Sequence, residues 1–163
     1  IETMNELWNF CFSLIQVVLM LHEKAQVLHC DIKPENLRWN KEGVRLIDFG
    51  HAQDVARARW MPGTEGYEAP EILNEMPCST KTDAFSVGKT ISKECSPFSK
   101  AKLASHENKK NIILQDISEK LTDPNPDTRW SLKQALSAMQ NNDTTAQQRR
   151  DGVIPLNKRQ TAI

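Results

Sequence analysis

The sequence has only six glycines, and none stands before Gly43. A glycine-rich loop that cradles phosphates is therefore excluded upstream of that point. Charge of one sign is not in surplus either: Lys+Arg and Asp+Glu are both 21. That argues against general nucleic-acid binding, which draws on a basic excess to neutralise phosphates. The four cysteines, at positions 11, 30, 78 and 95, include no pair at CxxC spacing, so neither a zinc site nor a disulfide framework is suggested. Reduced thiols in a cytoplasmic or nuclear protein are the expectation. The longest apolar run, Phe10 to Leu21, is about half a membrane span and contains Ser13 and Gln16. It is expected to be a core helix, with no membrane partner. It also lacks the basic start and small-residue cleavage site of a signal peptide.

What is present is enough for one core-forming domain of 163 residues: 39% hydrophobic and 26% charged. From Met4 to Lys24 apolar residues recur at helical spacing in two adjacent rows. Leu7, Cys11, Ile15 and Val18 form one; Phe10, Leu14, Val17 and Leu21 form the other. Val27 to Asn36 reads as a loop. Leu37 to Asn40 and Val44 to Ile47 read as two strands joined by a Gly-containing turn. The period of two puts Leu37 and Trp39 on one face and Arg38 on the other. His51 to Met76 is expected to be mostly irregular, with a short helix from Pro70. Thr82 to Cys95 reads as a helix capped by Thr82 or Asp83, followed by a polar stretch from Ser96 to Asn111. Helices are expected again over Ile112 to Leu121 and Ser131 to Met139, separated by the Pro-containing break at 123–126. Residues 1–139 are thus expected to form the folded domain, and 140–163 a polar, disordered tail.

The hairpin carries the chemistry. Asn36 stands just before its first strand and Asp48 just after its second, and antiparallel pairing brings those ends side by side. An amide oxygen and a carboxylate are hard ligands suited to a Mg²⁺ that also holds phosphates. Asp31 and Lys33 lie just upstream. A base, a fixed positive charge and a metal cage are the parts that phosphoryl transfer uses.

The segment His29-Cys30-Asp31-Ile32-Lys33-Pro34-Glu35-Asn36 resembles the catalytic loop of eukaryotic protein kinases. Asp48-Phe49-Gly50 resembles their metal-binding motif, and Ala69-Pro70-Glu71 the end of their activation segment. Gly63-Thr64-Glu65-Gly66-Tyr67 is similar to the substrate-facing loop before that end. Asp83 to Gly88 is similar to the central buried helix, with Phe85 where Trp is common. The resemblance runs from about Glu2 to Met139, with the five pieces in the family's order. It implies an α+β, mainly helical fold: the large C-terminal lobe of a protein kinase with a small catalytic hairpin.

By that resemblance, Asp31 orients the acceptor hydroxyl and takes its proton, and Lys33 steadies the transferring phosphate. Asn36 and Asp48 hold Mg²⁺, or Mn²⁺ in its place, and Lys33, Asn36 and Asp48 together meet ATP. Thr64 bonds near Asp31 and Lys33, and with Lys33 it points to serine or threonine as acceptor. His29, Phe49, Gly50, Asp83 and the pair Glu71 and Arg129 are structural. The partner implied is a protein substrate, and the activity that of a serine/threonine protein kinase.

Three departures qualify the resemblance. The family's smaller lobe supplies a Gly-rich loop, a strand lysine and a helix glutamate, none of which precedes Glu2 here. The chain, opening on Ile1, is therefore expected to be a fragment without its N-terminal lobe, nearly inactive alone and completed by an N-lobe or a partner kinase in trans. Cys30 replaces the arginine that commonly reads an activation-segment phosphate. Residues 51–63 contain no Ser, Thr or Tyr, so no phosphorylation switch is expected there. Arg38 occupies the usually apolar floor under adenine, although its long stem could still cover a ring. The alternative reading is an inactive pseudokinase-like scaffold. Gly88-Lys89-Thr90 echoes a phosphate-binding loop, but Asp83 stands where that motif needs glycine, so Lys89 reads as solvated. Arg57 and Arg59 read equally as a draw for acidic substrates and as ordinary exposed charges.

Overall fold

A computed structural model describes residues 1–98 and 105–142. The first helix, α1 (Met4–Met20), begins where Thr3 Oγ1 accepts the Glu6 N–H at 3.1 Å and the Glu6 carboxylate accepts the Thr3 N–H at 3.2 Å. This reciprocal cap satisfies two amides that the first helical turn leaves without partners. The row Leu7, Cys11, Ile15 and Val18 is wholly buried, and Phe10 and Leu14 of the second row are buried while Val17 and Leu21 are half-buried. A single wide turn, Leu21–Ala25, ends the helix, with Gln26 in a left-handed conformation (φ 56). The continuous helical stretch Met4–Ala25 is 22 residues and contains an 18-residue window of mean hydropathy 1.4, long and apolar enough by those measures to cross a membrane. In this structure its apolar rows lie against the helices and hairpin that follow.

The segment expected as a loop contains a two-residue strand, β1 (Val27–Leu28), and a 3₁₀ turn, Pro34–Asn36. The hairpin forms as expected, from β2 (Leu37–Asn40) and β3 (Gly43–Leu46), in the register Leu37↔Leu46, Arg38↔Arg45, Trp39↔Val44. Its inner face sits on α1, where Trp39 meets Phe10 edge to face at 5.7 Å. The outer face places Arg38 opposite Arg45, and each finds its own acceptor. Arg45 pairs with Glu42, while Arg38 donates to the Leu37 and Glu35 carbonyls at 2.9 and 3.2 Å. A second ladder joins β1 to β4 (Gln53–Asp54), so the hairpin is not the only sheet. Sequence pattern cannot flag strands of two residues.

The short helix α2 (Pro70–Leu73) starts at Pro70 as expected. The central helix α3 (Thr80–Cys95) begins two residues earlier than expected, and neither Thr82 nor Asp83 is its cap. Ser79 is: its Oγ accepts the Lys81 N–H at 3.1 Å, while Thr82 Oγ1 accepts the Ser79 N–H at 2.8 Å. Asp83 is thereby free of capping and points into the interior, 1% exposed. Gly88 sits where α3 crosses α4 (Ser105–Leu121); a Cβ there would come within 2.7 Å of Leu121 Cβ. Gly88 therefore serves close helix packing. Lys89 is half-buried with its ammonium 5.4 Å from the Phe85 ring centroid, not fully solvated as expected.

The helix α4 starts at Ser105, inside the polar stretch and seven residues before the expected start at Ile112, and α5 (Leu132–Asn142) runs three residues past the expected end of the domain. The expected disorder from residue 143 onward lies outside the described residues. One large core unites α1, the hairpin, α3, α4 and α5; a smaller one gathers Leu28, Ala69, Ile72, Cys78 and Phe85 beneath the 51–78 segment.

Candidate functional site

The site is built around the turn between β1 and the 3₁₀ turn. Asp83, rising from the first turn of α3, sets it. Its Oδ2 accepts the His29 N–H at 2.8 Å and Oδ1 accepts the Cys30 N–H at 2.9 Å. Oδ2 also lies 2.8 Å from Nε2 of buried His22. A buried carboxylate with three charge-assisted partners is well satisfied, and it fixes two successive amides. Cys30 is held with φ 62, a conformation that costs a non-glycine residue about 1–3 kcal/mol unless its surroundings enforce it. The reversal aims the next side chain, Asp31, away from the core. His22 was not legible in sequence, because its partner lies 61 residues away.

Asp31, Lys33, Thr64 and Asn36 form one network. Thr64 Oγ1 donates to Asp31 Oδ1 at 2.6 Å and accepts from Lys33 Nζ at 2.7 Å. Lys33 Nζ also lies 2.8 Å from Asp31 Oδ2. The Asn36 amide nitrogen donates to Asp31 Oδ2 at 3.0 Å and to the Asp31 carbonyl at 2.9 Å. Burial pushes the Asp31 carboxyl up, but the hydrogen bonds from Lys33, Thr64 and Asn36, with the Lys33 charge, hold it below the ordinary carboxylate range. Asp31 is therefore ionised at neutral pH.

The hairpin does bring its two ends together: Ile47 N–H donates to the Asn36 carbonyl at 3.0 Å, which leaves Asp48 beside the 3₁₀ turn. Asp48 is exposed and left-handed (φ 59), and its Oδ1 accepts the Gly50 N–H at 3.2 Å. With both Asn36 amide protons turned to Asp31, the Asn36 Oδ1 is the atom left for a cation. One carboxylate and one amide oxygen suit Mg²⁺, which keeps most of its shell for water and phosphate. No group of three or more His, Cys, Asp or Glu side chains that could hold a metal occurs among the described residues.

The remaining motif residues frame this patch. His29 is wholly buried; its Nε2 lies 3.1 Å from the Ile47 carbonyl, and its ring sits 5.0 Å from the Phe49 ring. Phe49 itself is 47% exposed beside Gly50. Glu71 takes two bonds from Arg129, Nη1 to Oε1 at 2.6 Å and Nη2 to Oε2 at 2.8 Å. Arg129 is 1% exposed, donates also to the Asp123 and Lys81 carbonyls, and stacks 4.9 Å from the Phe85 ring. Phe85 thus supplies the face on which a guanidinium lies. Gln53 bridges Cys30 and Arg59: its amide nitrogen lies 3.7 Å from the Cys30 sulfur, and its oxygen accepts the Arg59 N–H at 2.8 Å. A neutral amide thus meets the Cys30 side chain.

The relatives of this chain agree with the motifs. It is 38% identical over 82 residues to a G-type lectin S-receptor-like serine/threonine-protein kinase of Arabidopsis thaliana, covering 45% of this chain and 10% of that protein. It is 39% identical over 94 residues to a membrane-associated tyrosine- and threonine-specific cdc2-inhibitory kinase of Caenorhabditis elegans, covering 53% and 13%. It is 43% identical over 74 residues to a MAP kinase kinase of Saccharomyces cerevisiae, covering 44% and 14%. The matched region is thus a small part of each of these longer proteins. The protein kinase domain as a family matches residues 2–147, from the cap of α1 to beyond the end of α5, and so takes in every element of the site. The chain belongs to the protein kinase domain family.

Proposed function

We propose that this chain is the C-terminal lobe of a serine/threonine protein kinase, transferring the terminal phosphate of ATP to a protein hydroxyl when an N-terminal lobe closes the cleft. The observation that supports it most is the closed network of Asp31, Lys33, Thr64 and Asn36 beside the exposed carboxylate of Asp48. Asp31 is kept ionised, so it accepts a hydrogen bond from the incoming hydroxyl, orients its lone pair, and receives the proton as the oxygen loses basic character. Lys33, tied to Asp31 through Thr64, offers positive charge where charge builds on the transferring phosphate. Asn36 and Asp48 are the residues that would hold Mg²⁺, which when bound neutralises phosphate charge. Lys33 with Thr64 supports serine or threonine as acceptor, although one relative is by name tyrosine- and threonine-specific.

The test is ATP-dependent labelling of a serine/threonine peptide library by the protein carrying this chain. Asp31→Asn should lower the rate about 10²–10⁴-fold, the usual worth of a positioned base. Asp48→Ala should abolish Mg²⁺-dependent nucleotide binding. A protein that carries a Gly-rich lobe and still binds no Mg²⁺-ATP would refute the reading. That result would favour a pseudokinase-like scaffold, which draws its support from Arg38. Its charged side chain, next but one to Asn36, sits where an adenine floor is usually apolar.

A further inference from the structure

The proposed chemistry uses none of the four thiols, and two of them line one cavity. Cys30 precedes Asp31, with its backbone fixed by Asp83. Cys78 lies between α2 and α3, buried in the smaller core, and its N–H donates to the Arg59 carbonyl at 3.2 Å. Both line one narrow cavity whose other walls include Asp31, Met61, Thr64 and Asp83. Beside it Gln53 Nε2 lies 3.7 Å from the Cys30 sulfur and donates at 3.2 Å to the Arg59 carbonyl, the same carbonyl that accepts the Cys78 N–H.

We propose that Cys30 and Cys78 are a reversible modification site, closing to an intramolecular disulfide when a peroxide enters this cavity. The bond would tie the residue before Asp31 to the segment that leads into α3. Both cysteines line the same cavity and Cys30 packs against the small core that contains Cys78, and a disulfide requires the sulfurs at about 2.05 Å.

The roles of the two thiols differ. The Cys30 side chain draws the Cys78 thiol below its ordinary range, against the pull of burial. The same interaction, with burial and the Asp83 charge, pushes the Cys30 thiol up. Cys78 is therefore the thiolate that reacts first. Its sulfur attacks a peroxide oxygen; the S–O bond forms, the O–O bond breaks, and the leaving hydroxide takes a proton to become water. Cys30 sulfur then attacks the Cys78 sulfenic acid. The S–S bond forms, the S–O bond breaks, and a second water departs with the Cys30 proton. Two thiols lose two electrons and the peroxide gains them. A small thiol such as glutathione reverses the step by exchange.

The other two cysteines make a control. Burial pushes the Cys11 thiol well up, and burial with the Glu94 charge pushes Cys95 up to about 12. Neither ionises near neutral pH, so neither initiates oxidation.

The experiment exposes the full chain to hydrogen peroxide in reductant-free buffer and reads intact mass and digested peptides. The expected result is a mass loss of two hydrogens per chain and a peptide pair joined through Cys30 and Cys78, both reversed by dithiothreitol. Cys11→Ser should leave this unchanged. Cys78→Ser should abolish it, and Cys30→Ser should leave Cys78 as a sulfenic acid trapped by dimedone. Linkage of Cys11 to Cys95, a Cys78-linked dimer, oxygen addition without linkage, or no mass change in the wild-type chain would each overturn the proposal. The wild-type peptide map decides without depending on how the variants fold.

Discussion

Thr64 joins Lys33 to Asp31: one hydroxyl accepts from the ammonium at 2.7 Å and donates to the carboxylate at 2.6 Å. The 51–78 segment thereby touches the 29–36 loop at the carboxylate proposed as the base, and the charge state of Asp31 reports on that contact. Asp31 is held below the ordinary carboxylate range in the folded chain. Its contribution to stability is therefore fully present above the unfolded value, about 3.9. It is lost as pH falls through the lower folded value. Carboxyl NMR should show Asp31 titrating below that reference. In Lys33→Met its midpoint should rise, and the acid-side loss of stability should shrink. An unmoved midpoint would mean that the pair is not coupled.

Glu71 and Arg129 should behave as a buried pair. Arg129 is almost wholly enclosed, so Glu71→Ala leaves a guanidinium without its carboxylate. The expected cost is about 3–5 kcal/mol in urea unfolding. Glu71→Leu with Arg129→Met should cost clearly less than the sum of the single replacements, because the charge left behind vanishes. Additive effects would show that the two side chains act separately.

Asp83 should matter more than its position in α3 suggests. Removing its carboxylate leaves the amides of His29 and Cys30, and the His22 ring, without their partner. Hydrogen bonds to a charged group are worth about 1.5–3 kcal/mol each. Asp83→Ala should therefore unfold the chain at 37 °C or abolish its cooperative transition. Asp83→Asn, which keeps one acceptor oxygen, should fold with reduced stability. Equal stability of Asp83→Ala and wild type in thermal melts would show that Cys30 needs no such clamp.

Much of this architecture was legible in the sequence, because the relevant signals are local. The two apolar rows of α1 gave its buried faces, and the period of two in Leu37-Arg38-Trp39 gave the hairpin its inner face. Asn36 and Asp48 could be placed side by side from antiparallel geometry alone. What failed was non-local or lacked an apolar pattern. The first two turns of α4, from Ser105 to Asn111, carry only polar residues, so periodicity begins at Ile112. Their anchors are tertiary: Lys110 lies over the Trp8 ring at 5.4 Å and bonds to Asn5, and Asn111 is buried. The cap of α3 was misplaced because Ser79 and Thr82 cap reciprocally with a threonine in place of the usual Glu or Gln. The link from His22 to Asp83 and the meeting of Cys30 with Cys78 join residues far apart in the chain.

The hairpin turn offers a last prediction, about how the site is mounted on the core. Gly43 has φ 121, and a Cβ there would stand 2.7 Å from Ser13 Oγ. That hydroxyl accepts the Val44 N–H at 2.8 Å and so fastens the hairpin to α1. Gly43→Ala must meet both a disallowed backbone and a clash, and should cost about 1–3 kcal/mol. Ser13→Ala alone relieves no clash in the wild type and orphans the Val44 amide, so it should cost about 1 kcal/mol. The two sources of strain separate in the double variant. With the hydroxyl gone, Gly43→Ala should still destabilise, because the backbone angle remains. If Ser13→Ala restored Gly43→Ala fully to the stability of Ser13→Ala itself, the glycine would be required only for space. Position 43 should then tolerate any residue small enough to clear α1.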